Sequence, residues 1–149
     1  MDYAVACDHA GFPAKNQVID LLESLGHKVL DLGTHSTDPV DYPDYAVAAG
    51  EAILDGRAQR AVVLCGSGLG AAVAANKLPG IRAAVCHDTY SAHQGVEHDD
   101  INVMCLGARL IGPCTIEEVV RTFAAAEFQR EERYLRRLDK IKALEKRHS

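Results

Sequence analysis

Within six residues, the segment Cys65-Gly66-Ser67-Gly68-Leu69-Gly70 gathers a thiol, a hydroxyl and three glycines. Small residues let the backbone approach a bound group closely, and successive amide donors entering a helix make a place for negative charge. The same field favours a thiolate, which makes Cys65 a candidate base or nucleophile. Together these types fit proton abstraction beside a carbonyl, the thiolate taking the proton while the amides hold the resulting enediolate oxygen. A competing reading starts from the same glycines: Gly66, Gly68 and Ala71, with Asp88 further on, also satisfy a dinucleotide fingerprint and would make a nucleotide-binding regulatory domain. Against it, the motif follows the third predicted strand instead of the first. No lysine follows the glycines as a P-loop needs, and position 71 lacks the arginine of a cysteine phosphatase.

Other segments carry groups of the right kind. Asp8 and His9 follow the first predicted strand and either meet a sugar or phosphate or, for Asp8, cap the next helix. Asp41 is a predicted helix cap, and Tyr42 beside it either lines a pocket or simply packs. His98 is a candidate acid or base, the imidazole being the side chain that most readily carries protons near neutral pH. A metal site made from His93, His98, Asp99 and Asp100 lacks the spacing of known zinc motifs. Arg109 follows the fifth strand. Arg133 and Arg137, four apart on a helix, project from one face and could grip one phosphate or stand solvated.

Short apolar runs at 3–7, 28–32, 61–65, 82–86 and 103–106 alternate with helical patterns at 13–25, 43–55, 70–77 and 89–96. A last long helical stretch opens at a capping-box spacing, Thr115 to Glu118. Strands without polar alternation are covered on both faces. The expected fold is therefore α/β, a single doubly wound parallel five-stranded sheet of Rossmann-like type with a C-terminal helical extension, its ligands at the carboxyl ends of the strands. At 149 residues with 48% hydrophobic content, one domain over 1–149 builds its core without disulfides. Five widely spaced cysteines without a C-x-x-C pair read as reduced thiols in a cytoplasmic protein. No apolar run approaches a membrane span. Residues 130–147 hold eight of the sixteen Lys/Arg, yet four acids are interleaved and Leu135, Leu138, Ile141 and Leu144 recur every three residues. That is a packed helix with a charged outer face, not a nucleic-acid tail.

Taken together, Cys7-Asp8-His9-Ala10-Gly11-Phe12, Asp41-Tyr42-Pro43, the 65–70 loop, Ala74-Ala75-Asn76-Lys77, Gly80-Ile81-Arg82-Ala83, Glu97-His98-Asp99-Asp100-Ile101-Asn102 and Gly107-Ala108-Arg109 closely resemble ribose-5-phosphate isomerase type B. The resemblance implies an aldose–ketose isomerase interconverting ribose 5-phosphate and ribulose 5-phosphate without cofactor or metal. It also implies a homodimer or dimer of dimers. By that resemblance Cys65 is the base, Ser67 with the amides of Gly66, Gly68, Leu69 and Gly70 stabilises the enediolate, and His98 of a neighbouring subunit opens the furanose ring with help from Asp8. His9, Arg133 and Arg137 would hold the phosphate, while Tyr42, Asp99 and Arg109 complete the substrate site. Segment 115–149 would pack on the partner subunit. Three departures from the family pattern bear on the sugar: Asp99 where asparagine is usual, an altered 130–134 segment, and Tyr134 where histidine is common. The alternative is a tetrose phosphate or a hexose such as allose or galactose 6-phosphate.

Overall fold

In a computed structural model of the chain, residues 1–148 are described. Five strands and six helices follow in the order β1 (Asp2–Cys7), α1 (Phe12–Ser24), β2 (Lys28–Asp31), α2 (Tyr42–Leu54), β3 (Arg60–Cys65), α3 (Leu69–Ala75), β4 (Ala83–Val85), α4 (Thr89–Asp99), β5 (Val103–Gly107), α5 (Pro113–Ala125) and α6 (Glu132–Arg147). All strand pairings are parallel, in the order β2-β1-β3-β5-β4. Every strand thus ends on the same edge of the sheet.

Register sets Val5 beside Val62 and Val62 beside Met104. These residues, with Tyr3, Leu64 and Leu106, face Val18 and Leu22 of α1, Val96 of α4 and Val119 and Phe123 of α5. The alternate residues Ala4, Ala6, Ala61, Val63, Val103 and Cys105 face the alanines of α2 and α3. Helices on both faces are why the strands carry no polar alternation. Each large side chain fully buried in these layers contributes about 1.5–3 kcal/mol.

The sequence reading needs correcting in three places. The last helical stretch is two helices. α5 begins at Pro113, two residues before the expected box, and its cap position Gly112 makes no side-chain cap bond. It ends where the buried Arg60 donates to the carbonyls of Phe123 (2.9 Å) and Ala126 (2.8 Å), occupying the carbonyls at the helix end. The apolar stripe of α6 is only half packed: Leu138 is buried, but Ile141 and Leu144 are 39% and 51% exposed. Asp41 stands at the cap position of α2 without a side-chain bond there. The final residue of segment 115–149 lies outside those described.

A lysine on the buried stripe of α1 fastens the loop after β2. Lys15, 2% exposed, pairs with Asp31 (3.0 Å), donates to the Thr34 carbonyl (2.8 Å) and meets His35 Nδ1 (3.2 Å). Burial works to raise the Asp31 pKa, yet the Gly33 amide and Lys15 outweigh it and hold the carboxyl below its ordinary value. A depressed carboxylate stabilises the fold above its unfolded pKa, near 4, and that contribution is lost as pH falls through the lower folded value. Lys15→Met is expected to lower stability at pH 7 by about 2 kcal/mol, less than for a fully buried pair because Asp31 is partly exposed. In urea melts the deficit shrinks below pH 4; a deficit unchanged down to pH 2 would refute the assignment to this pair.

Candidate active site

The carboxyl ends of β1, β3 and β5 surround a cavity of about 380 Å³ lined by Asp8, Tyr42, Cys65, Gly66, Ser67, Gly70, Arg109 and Leu110. Its floor is the glycine loop. Gly68 has φ +80°, and a Cβ there would meet the Leu106 backbone at 3.0 Å, so only glycine lets the chain turn so close over β5. That turn brings the Gly68 amide to Cys65 Sγ at 3.1 Å and the Leu69 amide to Ser67 Oγ at 3.2 Å. Two of the amides expected to face a ligand are therefore spent inside the loop. The Ser67 hydroxyl, used there as acceptor, keeps its hydrogen for donation.

Cys65 is 4% exposed, at the cavity wall with an amide N–H on its sulfur. Cys7, Cys86 and Cys105 belong to the hydrophobic core. Burial pushes Cys7 and Cys86 up to about 11 and Cys105 higher still, so they remain protonated core side chains.

Asp8 is not the cap of α1, whose cap position is Gly11 with no side-chain cap bond. Asp8 Oδ1 accepts from the Ala10 and Gly11 amides (2.9 and 3.0 Å), fixing the turn into α1, while the residue lines the cavity. Arg109 is anchored through its own amide to the Gly66 carbonyl (3.1 Å). It also lines the adjoining cleft, where His9 lies with Nδ1 accepting from Val40 N–H at 3.1 Å. A phosphate placed between the two would meet one guanidinium and one imidazole.

Tyr42 packs on the loop because position 70 has no side chain: a Cβ on Gly70 would lie 2.5 Å from the tyrosine ring. The ring is 41% exposed and can swing aside. Gly70→Ala is therefore expected to displace Tyr42 and raise KM about tenfold with little change in Tm; an unchanged KM would show that Tyr42 does not touch the substrate.

Four expected site residues are not brought here. His98 and Asp99 close α4, whose last turn lies against the start of β4: Arg82 donates to the Asp100 carbonyl (2.8 Å) and pairs with its carboxylate (3.0 Å). They sit at the amino ends of the strands, roughly one strand length or about 15 Å from the edge that carries Cys65. Arg133 and Arg137 are exposed on α6, which packs beside α4. His98 meets Tyr134 there, Nε2 to hydroxyl 3.0 Å, and Gln94 at Nδ1, 2.9 Å. Leu69 is 62% exposed on the rim of the loop.

Two competing readings lose their residues. Asp88 spends both oxygens on Ser91 (2.7 and 2.8 Å), and β4 is separated from β3 by β5, so its carboxylate does not stand beside the glycine loop. His93 pairs with Glu97 (3.1 Å) and Asp100 with Arg82, and no metal-binding group of three His, Cys, Asp or Glu occurs among the described residues. Sequence reasoning missed Leu110 on the cavity wall and His87, whose Nε2 accepts from the Gly107 amide at 2.9 Å. It also missed Lys15, whose signal was a lysine on an apolar helical stripe.

The chain matches the family described as Ribose/Galactose Isomerase over residues 3–141. It is 36% identical to ribose-5-phosphate isomerase B of Escherichia coli, over 98% of this chain and 97% of that one. It is 41% identical to the D-erythrulose-4-phosphate isomerase of Pectobacterium atrosepticum, over 87% and 86%. Among solved structures it superposes on ribose-5-phosphate isomerase B of Clostridium thermocellum with a TM-score of 0.97, at 42% identity and full coverage of both chains.

Proposed function

The chain belongs to the ribose/galactose isomerase family, and from that premise we propose that it interconverts ribose 5-phosphate and ribulose 5-phosphate through an enediolate. The carrying observation is Cys65, its sulfur held by the Gly68 amide at the wall of a cavity that also presents Ser67, Asp8 and Arg109. In this reading the Cys65 thiolate removes the proton from the second carbon of the open aldose and returns it to the first. Ser67 donates to the oxygen on which charge develops, where a fixed donor acts more strongly than water. His9 and Arg109 take the phosphate.

The ring must open first, and His98 stands at the far edge of its own sheet. A second copy solves this geometry: the partner subunit's His98 reaches the cavity, assisted by Asp8, with the partner's Asp99, the partner's Arg133 and the partner's Arg137 closing over the sugar and its phosphate. Ile141 and Leu144, exposed on α6, and Val73, 63% exposed on α3, are apolar surface that such a homodimer would cover. Five free cysteines suit a reducing cytoplasm, and no described helix is long and apolar enough to cross a membrane.

Proton NMR of the protein with ribose 5-phosphate in deuterated buffer with chelator tests the reaction. Ribulose 5-phosphate should appear with deuterium washed in at the exchanging carbon. Ketose formation that stops when chelator is added would overturn the thiol-based mechanism.

A further inference from the structure

Both ring nitrogens of His98 are taken up inside its own chain. The Gln94 amide meets Nδ1 at 2.9 Å and the Tyr134 hydroxyl meets Nε2 at 3.0 Å. The phenol lies flat on the imidazole, centroids 4.3 Å apart and planes 15° from parallel. Tyr134 is 4% exposed, so the pairing is built into the packing of α6 on α4. With the Gln94 N–H on Nδ1, that nitrogen is an acceptor, and the proton of the neutral ring sits on Nε2, directed at the tyrosine oxygen. Arg133 Nη2 donates to the same oxygen at 2.8 Å.

Ring opening by an acid needs the ring N–H, which this pairing directs at Tyr134. We infer that Tyr134 is a specificity-determining residue which competes with the furanose oxygen for His98 and turns this site toward aldose phosphates that are already open-chain, tetrose 4-phosphates above all. The inference rests on the isomerase reading given above. Ribose 5-phosphate closes a furanose through its fourth oxygen. In erythrose 4-phosphate that oxygen is esterified, so no five-membered ring forms and the aldehyde needs no opening. Cys65 and Ser67 serve both sugars, whereas His98 Nε2 is needed only for the cyclic one.

The test is kcat and KM for erythrose 4-phosphate and ribose 5-phosphate on the full-length protein, its Tyr134→Phe and Tyr134→His variants, and Cys65→Ala as control. Wild type should favour erythrose 4-phosphate. Tyr134→Phe keeps the ring stack and loses the hydroxyl, and should raise the ribose-to-erythrose ratio of kcat/KM by about tenfold, the order that one hydrogen bond controls. The gain should lie in kcat for ribose 5-phosphate and not in KM. Tyr134→His should move the ratio the same way and stands in if the phenylalanine variant folds poorly. A wild type that prefers ribose 5-phosphate, a ratio unmoved in both variants, or a fall in ribose 5-phosphate turnover on loss of the hydroxyl overturns the inference while leaving the isomerase standing. Turnover of neither sugar by wild type overturns the isomerase reading instead, whereas turnover that survives Cys65→Ala removes Cys65 as the base.

Discussion

Cys65→Ala is expected to reduce kcat by about 10³-fold or more, since the group that moves the proton is gone and general-base catalysis contributes on that order. Binding of the sugar phosphate should be nearly unchanged, because the phosphate is assigned to His9 and Arg109, in the cleft beside the cavity. The substitution also strips the Gly68 amide of its acceptor at 3.1 Å, so a loss of activity alone would be ambiguous. Cys65→Ser separates the two effects: its hydroxyl still accepts from Gly68 yet is far too weak an acid to serve as the base. Stopped turnover in both variants, with ligand titration intact, assigns the chemistry to sulfur. Serine activity within tenfold of wild type would remove Cys65 from the role of base.

Mixing two dead proteins is expected to make a live one. Cys65→Ala and His98→Asn are each inactive on ribose 5-phosphate in the proposed mechanism. If each site combines Cys65 of one subunit with the partner's His98, a mixed dimer holds one site with both defects and one with neither. Random reassortment after mild unfolding and refolding should then restore about a quarter of wild-type activity, as two-fold symmetry dictates. A mixture as inactive as its components would place a complete site within one chain. The expectation follows from the fold, because β5 runs between the edge that bears Cys65 and the edge where α4 ends.

Much of the cavity lining was legible in the sequence alone. Cys65-Gly66-Ser67-Gly68-Leu69-Gly70 is a local signal: the residues that shape the loop are consecutive, and their close approach to β5 depends on glycine alone. Asp8 and Arg109 were legible for a related reason. In a parallel sheet every strand ends on one edge, so a polar residue directly after an apolar run lands there. Strand positions followed from runs without polar alternation, which only a sheet covered on both faces permits.

Three things were decided only by the tertiary structure, each through contacts between residues far apart in the chain. The 115–149 stretch became two helices because Arg60, on β3, captures the carbonyls at the end of α5. Lys15 found Asp31 and His35 because α1 packs over the end of β2, a juxtaposition that no periodicity encodes. The order β3-β5-β4 parted Asp88 from the glycine loop and carried His98 away from Cys65 to meet Tyr134. Residue types and local spacing therefore determined which chemistry this chain can perform. Strand order and helix packing decided which of its groups share a cavity and which stand apart from it, because those distances are set by where whole elements lie and not by any local pattern.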